Sequence, residues 1–423
     1  MKLQRGPLPA RPSASSDHPF LWAAGIEDTF ISAPHAATGR RLDEYELTEH
    51  YDRWESDLEL MASLGIGFTR YGIPWYRVNP QAGEFDWAWT DRVIERLVLT
   101  HKIEPIIDLV HYGAPLWLKD SFLNPDYPQF VAEFAHAFAE RYKGLCYWYT
   151  PLNEPRVHSW YAGRLGWWPP YAHGWRGYIR VLLQLCRGIC LTQKAITEVE
   201  PDSVFVHVDA TDLYIPADHS DALLAAEARL RQEIVFLALD LVQGLVGTGY
   251  ELTGWLSRLG VSEQELSWFQ ANSITPDVIG INMYPMFSRK IVHRTRSGHV
   301  RVRIVPCWTE TLSSLTEMYA RRYPQMPIMV TETASAGPVS KRVRWIEESA
   351  KVLMEARERG VPVIGYTFWP LFSLIAWAYQ GGSRDVDDYL IDMGLWDLRR
   401  RPDGLERVET PAVEAYRRVV AVR

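Results

Sequence analysis

Short apolar runs alternate with longer amphipathic ones from Phe20 to the end of the chain, and this alternation constrains the fold more than any other feature. Eight runs read as strands: Phe20 to Ala24, Phe68 to Tyr71, Pro105 to His111, Tyr147 to Asn153, Val204 to Asp209, Val278 to Asn282, Ile328 to Glu332 and Val363 to Trp369. Between and after them, apolar residues recur at helical spacing over Thr48 to Leu64, Asp91 to His101, Tyr127 to Tyr142, Gly177 to Glu198, Asp221 to Leu245, Glu310 to Arg322, Val343 to Arg359 and Pro411 to Val420. A strand and a helix repeated eight times predict an α/β fold, a single (β/α)8 TIM barrel whose parallel strands close on themselves and leave no edge. A doubly wound open sheet would normally carry a Gly-rich phosphate turn after an early strand, and none follows the Phe20 or Phe68 run. No Pro/Gly/Ser-rich linker interrupts the alternation, so residues 17–423 are expected to form one domain. Residues 1–16, rich in Pro, Arg and Ser, are expected to be a poorly ordered tail.

In such a barrel the working groups stand at the carboxyl ends of the strands, so polar residues that close an apolar run are the candidates. Strand two ends near Arg70, strand three at His111, strand four at Asn153 and Glu154, strand six at Asn282 with Tyr284 just beyond, strand seven at Glu332 and strand eight at Trp369. Glu154 and Glu332 are 178 positions apart in sequence but only three strands apart around the barrel. Two carboxyl groups facing across a mouth are what glycoside hydrolysis needs: one protonated to serve the leaving oxygen, the other ionised to attack the anomeric carbon. A Glu at a strand end can also pair with an Arg or cap the next helix. Two of them, in Thr150-Pro151-Leu152-Asn153-Glu154-Pro155 and Val330-Thr331-Glu332-Thr333, favour chemistry.

Composition narrows the partners. The net charge is -7, with Lys and Arg scattered and not gathered into a basic stripe, so nucleic acid is not expected. The chain has 18 Trp and 21 Tyr, whose faces stack well on sugar rings, although aromatics also fill large cores. A carbohydrate or glycoside is the expected partner. No run reaches the roughly 18 apolar residues of a membrane span, and the N-terminal stretch lacks a signal-peptide core, which points to a cytoplasmic protein without a membrane partner. Cys146, Cys186, Cys190 and Cys307 are expected to be buried free thiols. No His-Glu-x-x-His helix or similar cluster suggests a metal, and the chemistry calls for no cofactor.

From about Phe20 to Val420 the chain resembles family 1 of the glycoside hydrolases, β-glucosidase-like retaining barrels. Phe20-Leu21-Trp22 is similar to the family's opening strand, Tyr51 to Trp75 to its first helix and second strand, and Leu152-Asn153-Glu154-Pro155 to its acid/base motif. Gly280-Ile281-Asn282-Met283-Tyr284 resembles the strand-six motif, Thr331-Glu332 the nucleophile motif and Trp369 to Trp377 the strand-eight segment. The resemblance implies that Glu154 is the general acid/base and Glu332 the nucleophile, with Arg70 and Tyr284 bonding the nucleophile and favouring its charged form. It implies that Asn153 binds the hydroxyl next to the reacting carbon, that His111 holds a neighbouring hydroxyl, and that Asn282, Trp369 and Trp377 line the sugar pocket. A structural ion pair for Arg70 and plain packing for Tyr284, His111 and Trp369 are the competing readings.

The departures concern the glycone. Phe30 stands where the family has a Gln near the end of strand one, and Ala376 replaces a Glu just before Trp377. Both lost groups normally bind hydroxyls remote from the reacting bond, so ordinary glucosides and galactosides are expected to be poor substrates. Glu27 stands near the end of strand one as a substitute carboxylate or a surface ion pair, and Thr333-Ala334 replaces the family's Asn-Gly. The Gly25-Ile26-Glu27 stretch and Asn272 to Asn282 are also similar to family-1-like barrels fused to sugar-nucleotide reductases, which points to a divergent branch. Trp160, Tyr161, Trp167, Trp168 and Tyr171 form an aromatic aglycone wall or pack under a long loop. Two other functions remain open at this level: a transglycosylase or a related barrel acting on xylosides, mannosides or β-glycans, and a barrel that binds carbohydrate without cleaving it.

Overall fold

All eight expected strands are present, and each lies beside its neighbours in sequence, so the sheet closes into a parallel barrel. The computed structural model describes residues 5–421; the first four residues of the expected tail and the last two of the expected domain lie outside the described residues. The barrel strands are β1 (Leu21–Gly25), β2 (Phe68–Gly72), β3 (Glu104–Asp108), β4 (Trp148–Thr150), β5 (Val204–Ala210), β6 (Val278–Asn282), β7 (Ile328–Thr333) and β8 (Val363–Phe368). Around them stand α1 (His50–Ala62), α2 (Ala88–Glu95), α3 (Tyr127–Arg141), α4 (Gly174–Val199), α5 (Ala222–Val242), α6 (Thr309–Arg322), α7 (Val339–Glu358) and α8 (Pro411–Ala421).

Side-chain alternation along each strand divides the barrel into layers. Ala23, Phe68, Ile106, Trp148, Val206, Val278 and Met329 point inward and form a dry interior cluster. Two residues further along, the same inward direction is taken by Gly25, Arg70, Asp108 and Gly280, and by Asn282 two residues later, so the polar layer lies directly on an apolar plug. Residues of opposite parity, such as Tyr71, Ile107 and Tyr149, join the larger core between sheet and helices.

The strand ends differ from expectation where they build the mouth. β4 is shorter than Tyr147 to Asn153 because Pro151 has no N–H to give the ladder. The chain then rejoins its neighbours through Asn153 N to Val110 O at 2.9 Å and Glu154 N to Val208 O at 3.1 Å. β3 stops at Asp108, not His111, and the chain turns away through Tyr112, which has a left-handed φ of 69°. The helix expected over Asp91 to His101 begins earlier, at Ala88, and its last stretch, Arg96–His101, is a wider π-type turn.

Some elements had no expected counterpart. The loop after β4 forms a short helix, Pro155–Ser159, followed by a π-type turn, Trp160–Leu165. An antiparallel pair, Arg289–Arg294 with Val300–Ile304, adds to Leu213–Pro216. Its Val300 and Val302 pack on Leu224 and Ala228 of α5. At the opposite end of the barrel from the mouth, Arg5 donates to Leu145 O at 3.0 Å and pairs with Glu104, and Arg11 reaches Asp277 at 3.0 Å. All four cysteines are buried and free. Among the described residues no helix is long and apolar enough to cross a membrane.

Candidate active site

Arg70, fully enclosed at the end of β2, is the hub of the mouth. Its Nη1 donates to Glu332 Oε1 at 2.7 Å and to Thr331 O at 3.2 Å, and the same nitrogen stands 2.6 Å from Glu27 Oε1. Its Nη2 donates to Asp108 Oδ2 at 2.7 Å and Asn153 Oδ1 at 3.0 Å. Burial works against the guanidinium's charge, but the carboxylates of Glu27, Glu332 and Asp108 more than offset it and raise its pKa. One side chain thus ties together the ends of β1, β2, β3, β4 and β7.

The two acidic candidates from strands four and seven meet in this mouth in different settings. Glu332 accepts from Arg70 on one oxygen and from the Tyr284 hydroxyl, at 2.7 Å, on the other. Glu154 accepts from Asn282 Nδ2 at 2.8 Å on one oxygen and from the Tyr112 hydroxyl on the other. Asn282 is itself oriented by Thr331 Oγ1, which donates to its Oδ1 at 2.7 Å. Burial, and next the charge of Glu332, push the Glu154 carboxyl up to about 8, while its two neutral donors pull the other way. The backbone of Glu154 is left-handed, with φ of 46°, a conformation held here by the contacts on both sides.

Asn153 offers its Nδ2 to the Tyr112 hydroxyl and to His111 Nε2, both at 3.1 Å, while His111 Nδ1 lies 3.3 Å from Asp108 Oδ2. Tyr112 and Asp108 were not singled out from sequence, although Asp108 lies within the apolar run that ends at His111 and Tyr112 directly follows it. Tyr112 is the more consequential, because its ring bridges Glu154 to the aromatic residues of the mouth. It meets Trp377 at 5.6 Å and Trp168 at 5.1 Å between centroids, and Tyr161 stacks on Trp168 at 4.7 Å. The expected aromatic wall is therefore divided. Tyr161, Trp167 and Trp168 gather beside the mouth, whereas Trp160 turns to Trp175. Tyr171 joins Tyr112, Ala114, Leu116, Phe122 and Pro170 around a cleft of about 510 Å³.

Trp369, half-buried, lies edge-on to Tyr284 at 5.9 Å and donates its indole N–H to Glu27 O at 2.7 Å. Glu27 is no surface ion pair: its carboxyl is completely buried beside Arg70, and its Oε2 has no hydrogen-bond donor. Gly25 permits this fold-back, since a Cβ there would lie 2.5 Å from Glu27 Oε2 and 2.6 Å from Trp369 Cδ1. Phe30 is spent on packing, with its ring edge-on to Tyr45 at 4.8 Å and against Gly72. Next to Ala376, Trp377 donates to Thr29 Oγ1 at 3.0 Å. Behind Thr29 the carboxyls of Asp28 and Glu44 face each other within hydrogen-bonding reach, and neither was singled out from sequence. Among the described residues no group of three or more His, Cys, Asp or Glu side chains is arranged to hold a metal ion.

Comparison with known proteins gives a consistent picture. The model of glycosyl hydrolase family 1 matches residues 23–297, which includes Glu154 and ends short of Glu332. The chain is 24% identical to a bifunctional β-D-glucosidase/β-D-fucosidase of Bifidobacterium breve over 95% of its own length and 92% of that protein's. It is also 24% identical to β-glucosidase A of Thermotoga maritima, covering 81% of this chain and 82% of the relative. Among solved structures, β-glucosidase from Thermotoga maritima in complex with castanospermine superposes with a TM-score of 0.80 at 20% identity, covering 99% of this chain and 98% of that one.

Proposed function

Because the chain belongs to glycosyl hydrolase family 1 and is thereby an O-glycosyl hydrolase, we propose that it cleaves β-glycosides by double displacement through a covalent glycosyl-enzyme, with an atypical glycone. The observation that carries this reading is the opposed setting of the two carboxyl groups. Glu332 is held by a cation and a phenol, Glu154 by burial and two neutral donors, with its pKa near 8.

In the first step the protonated Glu154 gives its proton to the leaving oxygen while Glu332 attacks the anomeric carbon. Both oxygens of Glu332 have fixed donors, so the carboxylate is oriented before the substrate arrives. In the second step Glu154, now ionised, takes a proton from the water that attacks the glycosyl-enzyme. The hydrogen bonds from Tyr112 and Asn282 favour this ionised form, so the groups that lower the acid's pKa serve the second half of the cycle. Asn153, bound to Arg70 through Oδ1, would bind the hydroxyl beside the reacting carbon by exchanging its Nδ2 bond to His111 for one to the sugar, which frees His111 Nε2 for the next hydroxyl.

The names of the two relatives support a β-linked substrate. The replacements at Phe30 and Ala376 support a glycone other than simple glucose or galactose. The test is a panel of activated aryl β-glycosides followed by a 2-deoxy-2-fluoro analogue of the best substrate. Peptide mass mapping should find the trapped sugar on Glu332. Turnover with the label elsewhere, or no turnover of any member, would sink the proposal.

A further inference from the structure

The three-stranded sheet outside the barrel is an exception to the scatter of cations along the chain. Between Asp277 and Glu310 the sequence has six Lys and Arg residues and no Asp or Glu, in a chain whose net charge is -7. Strand alternation sorts them by face. Val292, Val300 and Val302 turn inward onto Leu224 and Ala228 of α5. Ile291 and His293, paired across the hairpin with Arg303 and Arg301, therefore face outward. Arg289, Lys290 and Arg294 have acidic partners in Glu310, Asp212 and Asp221. Arg296, Arg301 and Arg303 are exposed, and among the described residues no carboxylate lies within ion-pair distance of them.

An edge strand commonly carries charge to block pairing with another chain, but one Lys or a mixture of signs does that. Three unpaired guanidiniums of one sign create a local positive potential on an acidic protein. Two anchors root this potential in the mouth. Tyr284, whose hydroxyl binds Glu332, donates its N–H to Ser288 Oγ at 3.1 Å, and the ring of Phe287, 53% exposed, lies 6.3 Å from its own. Asp212 holds Lys290 at 2.6 Å and also Arg156 at 2.8 Å, and Arg156 follows Glu154 and Pro155 in the chain. The sheet thus stands at the ends of β5 and β6, beside the acid/base segment and across the barrel from β1 and Glu27. That is the side on which the leaving group departs. Within the mouth an anion has little to bind, since Glu27, Asp108 and Glu332 share the one guanidinium of Arg70.

We propose that the leaving-group part of the substrate is an acidic oligosaccharide whose carboxylates dock on Arg296, Arg301 and Arg303, with Phe287 between them and the mouth. The proposal rests on the glycosidase reading for what the mouth does and adds the class of the leaving group. Guanidinium forks match carboxylates in geometry as well as charge. A lipid surface or a nucleic acid would use the same charges, but the anchoring of the sheet beside both reacting carboxyl groups ties it to the substrate.

The experiment is calorimetric binding of a β-linked oligomannuronate and of a cello-oligosaccharide of the same length to the whole protein, at low and high salt. The acidic chain should bind tighter by about tenfold or more, and the gain should fade as salt screens the charges. Arg301→Glu with Arg303→Glu should abolish the gain, the corresponding Lys pair should keep most of it, and melting curves check that each variant is folded. If the reversal unfolds the sheet, Arg301→Gln with Arg303→Gln should still remove most of the gain. The acidic chain should also inhibit wild-type turnover of a small neutral aryl glycoside competitively. Equal binding of the two chains, a gain that survives in the folded Glu or Gln variant, or binding without inhibition of that turnover overturns the proposal. So does Arg301- and Arg303-dependent association with phosphatidylserine vesicles or single-stranded DNA that the oligomannuronate fails to displace. Turnover of aryl glycosides without preference for the acidic chain defeats the docking and leaves the mechanism. Arginine-dependent binding of the acidic chain with no aryl glycoside turned over defeats the glycosidase reading instead.

Discussion

The two sides of the mouth are built to different standards of completeness. Around Glu332 and Glu154 every carboxylate oxygen has a donor: Arg70, Tyr284, Asn282 or Tyr112. Around Glu27, Asp28 and Glu44, a few residues away on the β1 side, Glu27 Oε2 is buried without a donor, and Asp28 and Glu44 bond to each other only through a proton that one of them must hold. A finished hydrogen-bond network fixes geometry, which the reacting groups need before substrate arrives. An unfinished one costs stability. The mouth thus divides into a part whose geometry is fixed by hydrogen bonds and a part that costs stability.

The largest effect should come from the finished side. Glu332→Ala removes the attacking atom and should lower kcat/KM by about 10⁴-fold or more, as for other nucleophile deletions. A loss of less than about tenfold would show that Glu332 is not the nucleophile and that the division is drawn in the wrong place. Glu154→Ala should depend on the leaving group: a loss of about 10²- to 10⁴-fold for alkyl glycosides that need protonation, and much less for nitrophenyl ones.

The sequence made the finished side legible and the unfinished side obscure, and the reason is physical. A barrel strand announces itself by a run of inward and outward apolar residues, and its last polar residue is then bound to face the mouth. Arg70, Asn282 and Glu332 could be placed from strand position, and Asn153 and Glu154 from the end of the fourth strand and its Asn-Glu-Pro motif. Tyr112 was invisible because β3 ends at Asp108 and the chain turns left-handed at Tyr112, a choice made by contacts with Glu154, Asn153 and Trp377 that no local pattern encodes. Asp28 and Glu44 carry no strand-end or motif signal in the sequence. Only the small hairpin Phe30–Ile31 with Leu42–Asp43, closed by the bond from Glu44 N to Thr29 O, brings them inside. Phe30 shows the converse: aligned with a polar family position, it packs on Tyr45.

Tyr112 sits where the two sides meet, and it offers an intermediate effect. Its hydroxyl donates to Glu154, a bond that lowers the acid's pKa from the position burial gives it. Tyr112→Phe should therefore shift the alkaline limb of kcat/KM, expected near pH 8 where Glu154 loses its proton, to higher pH. The second step, which needs Glu154 ionised, should slow, so the glycosyl-enzyme should accumulate and a burst of aglycone should appear. A packing role alone would lower activity without moving the limb. An alkaline limb unchanged in Tyr112→Phe would remove the residue from the proton-transfer apparatus.

The smallest effect probes the cost of the unfinished side through the pH dependence of stability. A carboxyl whose pKa is raised by folding binds its proton more tightly in the native state than in the unfolded chain. Its contribution is fully present below the ordinary value of about 4.5 and is lost as pH rises through the folded value. Glu44, pushed up to about 8 by burial, should therefore weaken the protein progressively between about pH 5 and pH 9. Glu44→Gln keeps an oxygen for the Ile375 amide and gives Asp28 a permanent donor, without the titration. The melting temperature of the variant should accordingly exceed that of the wild type at pH 9 by about 2 °C, with the gap closing toward pH 5. Glu332→Gln on the finished side removes an acceptor that Arg70 and Tyr284 both use, and should show no such alkaline gain. Parallel wild-type and Glu44→Gln melting curves across that range would mean that the Asp28–Glu44 pair is as well satisfied as the reacting pair, and the contrast between the two sides would fail.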